Sequence, residues 1–134
     1  TAWGGPGAGT VDDITGNEWQ GSLSGRSADA PEYPSASSAL CLAFSQQVRR
    51  FTGTDKANIN YPVAKGSSLI EPGVTPANDM TLHWDNWTDF ARDCGESRVW
   101  GGENFPASVE AAKQYAPKIG DMSYTYVQRK VNGG

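Results

Sequence analysis

The sequence predicts a mainly α protein: a partial helical bundle of three main helices joined by long Gly/Pro-rich loops. Three observations carry this. Leu40, Phe44 and Val48 recur at four-residue spacing, the period of one helix face. Two further stretches place apolar residues three and four apart, Leu82 to Ala91 and Val109 to Tyr126. Sixteen Gly and eight Pro in 134 residues leave room for few regular elements between turns. A chain of this length is one domain with a modest core. We therefore read residues 1–134 as a single domain, an extended arm over 1–34 and a helical core over 35–134.

The arm is rich in Gly and Pro, with Trp3, Val11, Ile14, Trp19 and Tyr33 as isolated apolar anchors. It has too few apolar residues for a core of its own, so it should lie extended on something else. The first helix is expected over 36–51, with Cys41, Ala43 and Phe51 widening the Leu40, Phe44, Val48 face. Ser35 is a natural N-cap and Gly53 a natural C-cap, after Arg49 and Arg50 in the last turn. Residues 54–80 read as irregular. Within them Ile59, Tyr61 and Val63 alternate as in a short strand or extended loop, and Pro72, Gly73 and Pro76 mark turns.

The second helix is expected from Thr81 to Asp93, with Leu82, Trp84, Trp87, Phe90 and Ala91 on one face and Cys94-Gly95 ending it. Residues 97–108 then read as an arginine-bearing, glycine-rich turn that runs into a helix opened by Pro106. That third helix, 106–130, should bury Val109, Ala112, Ala116, Ile119 and Tyr126, with Pro117 and Gly120 kinking or splitting it.

Charge and composition exclude several roles. A net charge of -4 and a pI near 4.8, with Lys and Arg scattered, argue against nucleic acid or an anionic membrane as main partner. No apolar run reaches bilayer length. Cys41 and Cys94 are too far apart for a CxxC redox or zinc motif, and they either pair or stay as buried thiols. Asn86-Trp87-Thr88 is a glycosylation sequon, a pointer to secretion. Thr1-Ala2-Trp3 shows neither an initiator Met nor a signal-peptide pattern, so a processed chain or a piece of a longer precursor is expected. The acidic residues show no calcium-loop spacing. Asp85, Asp89 and Arg92 read as a solvated helix face, His83 as a helix-end or interface residue, and the five Trp as core or partner contacts.

Two stretches carry candidate chemistry: Pro34-Ser35-Ala36-Ser37 and Ser97-Arg98-Val-Trp-Gly-Gly-Glu-Asn104-Phe-Pro-Ala-Ser108. Arg98 offers a planar fork of donors suited to an oxyanion, and Gly101 and Gly102 allow close backbone approach. Together the stretches resemble the vanadium-dependent haloperoxidases and the related type-2 phosphatidic acid phosphatases. Those carry Pro-Ser-Gly-His, then Ser-Arg, five residues, His, three residues and Asp. W-G-G-P-G-A-G-T from Trp3, P-E-Y-P before Ser35, R-R-F-T-G from Arg49 and D-F-A-R-D-C-G before Glu96 also look similar, so the resemblance spans about residues 3–120.

The resemblance implies a helical bundle forming the later part of a much longer protein. It also implies an oxyanion site in which Ser35 would donate its hydroxyl, Ala36 a backbone amide and Arg98 its guanidinium. By the same matching, Ser37 stands for the acid–base histidine, Asn104 for the histidine that ligates vanadium or attacks phosphorus, and Ser108 for the aspartate that orients it. An amide is neither nucleophile nor good vanadium ligand, and losing a general acid–base alone costs about 10²–10⁴ in rate.

The expected role is thus a non-catalytic, secreted haloperoxidase-like chain without a cofactor, assembled with a companion chain or itself, with Ser35, Ala36, Ser37, Arg98 and Asn104 as a remnant anion site. Two alternatives stand beside it. One is a subunit of an active haloperoxidase or acid phosphatase, completed in trans and then using vanadate. The other is a binder of a small oxyanion or carbohydrate.

Overall fold

The computed structural model describes residues 2–5, 7–19, 21 and 31–134; the part of the expected arm over 22–30 lies outside the described residues. The elements run β1 (Ala2–Trp3), β2 (Thr10–Val11), α1 (Ala36–Thr52), β3 (Lys56–Val63), β4 (Met80–Asn86), α2 (Trp87–Trp100) and α3 (Pro106–Val131). Helices α2 and α3 both pack on α1, and two antiparallel hairpins, β1–β2 and β3–β4, flank them. No helix among the described residues is long and apolar enough to cross a membrane.

The first helix forms as its sequence indicates. Ser35 caps it, its hydroxyl accepting from the Ser38 amide at 3.3 Å. Gly53, at φ 72°, closes it with an N–H bond to the Arg49 carbonyl. The arm departs from expectation in carrying the β1–β2 hairpin, and the Trp3 indole donates to Glu71 at 3.4 Å.

The second helix starts later than its periodicity suggests. Met80–Asn86 is a strand, not a helix, because β3 offers it a full ladder: Ile59 faces Trp84 and Tyr61 faces Leu82 across the pair. Leu82 and Trp84 therefore serve period two rather than period 3.6. Asn58, at φ 50°, marks the irregularity between Lys56 and Ile59 that resets the register. Helix α2 begins at Trp87, where Asp55 satisfies its free amides: the Asp55 carbonyl accepts from Trp87 N–H and its carboxylate from Thr88 N–H and O–H. Edge-to-face contacts Trp84–Phe90 and Phe44–Trp87, 5.4 and 5.8 Å between ring centres, tie hairpin, α2 and α1 together.

Helix α2 also runs on through Cys94-Gly95 to Trp100. Glycine is needed there for space. A Cβ on Gly95 would lie 2.8 Å from Ser38 Oγ and 3.0 Å from a Val109 methyl. One turn away Cys41 and Cys94 are bonded, joining α1 to α2 across 53 residues. A crosslink of that span is worth about 2–4 kcal/mol in chain-entropy terms.

Nor is α3 split. It is continuous over 26 residues, with Pro117 removing one amide from the ladder and Gly120 seated directly on the Ala43 carbonyl. The buried faces are consequently not the large-residue stripes that periodicity marks. Ser38 and Ser45 line the inside of α1, while Leu40 is 73% exposed and Phe51 75%. On α3, Val109, Ala112, Ala116 and Gly120 are buried, whereas Ile119 and Tyr126 are exposed. Small residues let the backbones approach; the large ones are turned outward.

Gly120→Ala tests this packing. The new methyl would press into the Ala43 carbonyl oxygen, well inside van der Waals contact, so α1 and α3 must part, at about 1–3 kcal/mol. Gly16→Ala, with nothing within 4 Å, serves as control and should stay within about 0.5 kcal/mol. Chemical denaturation measures both. Stabilisation by Gly120→Ala, as helix propensity alone would give, rejects the close-approach account.

Candidate functional site

Of the sequence-predicted residues, Ser35, Asn104 and Ser108 come together where the start of α1 meets the start of α3. Ser35 is fully buried, and its N–H donates to the Ser108 carbonyl at 3.1 Å. Its hydroxyl donates to Asn104 Oδ1 at 3.0 Å. Asn104 in turn donates from Nδ2 to the Glu32 carbonyl at 2.7 Å. The Glu32 carboxylate accepts from the Phe105 amide at 2.8 Å and from the Ser108 hydroxyl. These bonds clasp residues 32–35 to the start of α3, across about seventy residues of sequence. Phe105 provides no side-chain cap for α3, so Glu32 caps it from outside, favoured also by the positive end of the helix dipole.

Arg98 is held apart from that net. It lies in the last turn of α2, its guanidinium 3.6 Å from the Glu103 carboxylate, with side chains 23% and 6% exposed. The Arg98 carbonyl accepts from the Glu103 and Asn104 amides, closing the turn. Arg98 Nε is buried without a partner among the described residues, as is Ser38 Oγ against Gly95. Ala36 is exposed and Ser37 half-buried on the first turn of α1, outside the network.

Two of the three expected donors thus reach other protein groups. Ser35 meets Asn104; Arg98 meets Glu103. Glu32 and Glu103 are the residues that sequence reasoning missed. Glu32 stands inside the P-E-Y-P segment and Glu103 inside the Ser-Arg to Asn104 gap, yet a carboxylate's tertiary partner leaves no local mark in sequence.

Hydrogen bonds from Ser108 first, then from Phe105 and Asn104, hold the Glu32 carboxyl below its ordinary range, against the opposing effect of desolvation. A cavity of about 320 Å³ opens beside the clasp between Trp19, Glu32, Val99, Phe105 and Pro106. Trp19 packs over Gly102, whose φ of 74° and lack of a side chain admit the ring.

The remaining candidates lie elsewhere. His83 is not at a helix start; it stands on β4, bonded to Asn60 at 2.8 Å and Asp85 at 3.1 Å. Asp85 is thus on the strand, and the exposed helical pairs are Arg92 with Asp89 and Asp93. Asn86 of the sequon donates its amide to Asp89 at 2.9 Å, which lowers the Asp89 carboxyl, and Thr88 is bonded to Asp55. No cluster of three metal-ligating side chains occurs among the described residues.

Comparison with known proteins gives a consistent picture. The sequence profile described as the VCPO second helical-bundle domain matches residues 1–133. The apo-type structure of a bacterial vanadium-dependent chloroperoxidase superposes with a TM-score of 0.91 at 44% identity, covering 98% of this chain and 28% of that one. The holo-type structure gives 0.88 at 44%, covering 96% and 27%. The chain thus spans little more than a quarter of those chloroperoxidase chains. No match was found among curated proteins.

The clasp should be pH-dependent. The folded Glu32 value lies below the unfolded one of roughly 4.3, so ionised Glu32 stabilises the fold above that pH. The contribution is lost as pH falls through the folded value. Thermal melts of wild type and Glu32→Gln should therefore differ most above about pH 5 and converge as pH drops below the carboxylate range. A gap that stays constant down to acid pH would show that the charge contributes nothing.

Proposed function

Because the chain belongs to the family of the VCPO second helical-bundle domain, within the vanadium haloperoxidase superfamily, we propose that it is a haloperoxidase-like chain without catalysis of its own. Its role is structural or binding, exercised in an assembly with a companion chain or a second copy. The observation that carries this reading is the Ser35–Asn104–Glu32–Ser108 network. Side chains at the positions matched to the family's site bond one another instead of framing an open oxyanion seat.

The donor set does not fit vanadate. Ligation there calls for an imidazole lone pair, and the positions matched to the family's histidines hold Asn104, whose oxygen already accepts from Ser35, and Ser37. The sole histidine, His83, is engaged on the hairpin. We assign no vanadium chemistry to this chain.

Assembly is supported by what the fold leaves uncovered. Leu40 and Phe51 on α1, and Ile119, Met122 and Tyr126 on α3, present large apolar side chains to solvent. Secretion is supported by the Cys41–Cys94 bond, since disulfides persist in oxidising compartments. A second reading, an active enzyme completed in trans, draws support from the chloroperoxidase likeness and from Ser35 and Arg98 standing at matched places.

Two measurements test these readings. With vanadate, bromide or chloride and peroxide, the protein as isolated should halogenate monochlorodimedone no faster than the protein-free control. Turnover that needs vanadate would overturn the non-catalytic reading in favour of the enzyme. Native mass spectrometry should separately give a mass above that of one 14.3 kDa chain; a lone monomer at micromolar concentration would sink the assembly claim.

A further inference from the structure

The cavity beside the clasp has a chemistry opposite to that of an oxyanion site. We propose that it binds a small organic cation, an ammonium group carried on a single aromatic or aliphatic ring. The assignment rests on the proposed function, in which the matched positions bind no oxyanion.

It is lined by the apolar residues Trp19, Val99, Phe105 and Pro106 and by the polar Glu32, Glu103 and Asn104. At about 320 Å³ it stands at the small end of ligand cavities and suits a one-ring guest. Trp19 and Phe105 are 42% and 72% exposed, so aromatic surface remains for a guest to cover.

The polarity follows from where the donors go. Phe105 N–H and Ser108 O–H point at Glu32, and Asn104 Nδ2 at the Glu32 carbonyl. Ser35 O–H points at Asn104. Arg98 does not line the cavity; its charge is met by Glu103, which does. An entering anion would meet the Glu32 carboxylate with those donors already committed.

An ammonium meets the reverse. A carboxylate accepts about four hydrogen bonds, and here two come from the described residues. Glu32 thus keeps capacity for a cation's N–H groups, or for its charge alone. An indole also attracts cations, and Trp19 lines the same cavity as Glu32, so both are available to one guest. The hydrogen bonds that keep Glu32 ionised also fix its direction.

The test is calorimetric titration of the whole protein at pH 7 with benzyltrimethylammonium, its uncharged analogue benzyl alcohol, inorganic phosphate and sulfate. Saturable binding of the cation is expected, at least tenfold tighter than benzyl alcohol and weakened about tenfold by Trp19→Ala or Glu32→Gln. Equal affinity for benzyl alcohol would reduce the cavity to an apolar groove and overturn the proposal. No binding of any probe would overturn it as well, while leaving the non-catalytic reading untouched. Phosphate or sulfate binding more tightly than the cation would overturn the cation assignment and point to a retained oxyanion seat, whereas only turnover would overturn the non-catalytic reading. Because Glu32→Gln loosens the clasp, Trp19→Ala and the comparison of probes on unaltered protein decide the outcome if that variant unfolds.

Discussion

The architecture depends on how closely three helix backbones approach. Gly120 rests on the Ala43 carbonyl, and Gly95 leaves the space that Ser38 and Val109 fill. Around them the interior consists of Ala91, Val109, Ala112 and Ala116, with Ser35, Ser38, Ser45 and Ser108. Such a core removes little apolar area from water per residue, so the hydrophobic term is weak for a chain of this size. Close backbone contact and the Cys41–Cys94 crosslink supply what large side chains elsewhere would. The large side chains are displaced to the outside as a direct consequence. A helix pair separated by a methyl cannot also hold Leu40 or Ile119 between its members.

The same approach assembles the clasp. Helix α1 starts beside the start of α3: the Ser35 N–H donates to the Ser108 carbonyl, and Glu32 accepts from the Phe105 amide at the head of α3. Every bond in that cluster spans the chain from the segment before α1 to the α2–α3 turn or the first turn of α3. The cluster is therefore a structural lock between the segment before α1 and the start of α3. Its side chains satisfy each other, as buried polar groups must when no ligand does so. The exceptions, Arg98 Nε and Ser38 Oγ, lie sealed from solvent.

Seen from outside, the chain presents two kinds of surface. One is apolar and formed by the outward residues of α1 and the second half of α3, suited to another helical layer. The other is the cleft under Trp19, where an ionised carboxylate faces aromatic walls. The chain itself spans about a quarter of the chloroperoxidase chains it matches.

Some of this was legible in the residues alone. The N-cap Ser35, the C-cap Gly53, the 3.6-residue period of α1, and Pro106 at the head of α3 act through neighbours within one turn, so local sequence determines them. The two motif stretches pointed to the superfamily, and placed Ser35, Arg98 and Asn104 in one region, by kinship rather than by physics. Tertiary structure decided the rest. Met80–Asn86 became a strand because β3 was there to pair with it, a choice its own apolar spacing left undetermined. Pro117 and Gly95 stayed within helices because packing outweighed their poor propensity. The apolar stripes faced outward because glycine and serine, not leucine, permit the inter-helix distance. Glu32 took Ser108 and Phe105 as partners because folding brought together carboxylate and amide more than seventy residues apart; no local pattern encodes that distance.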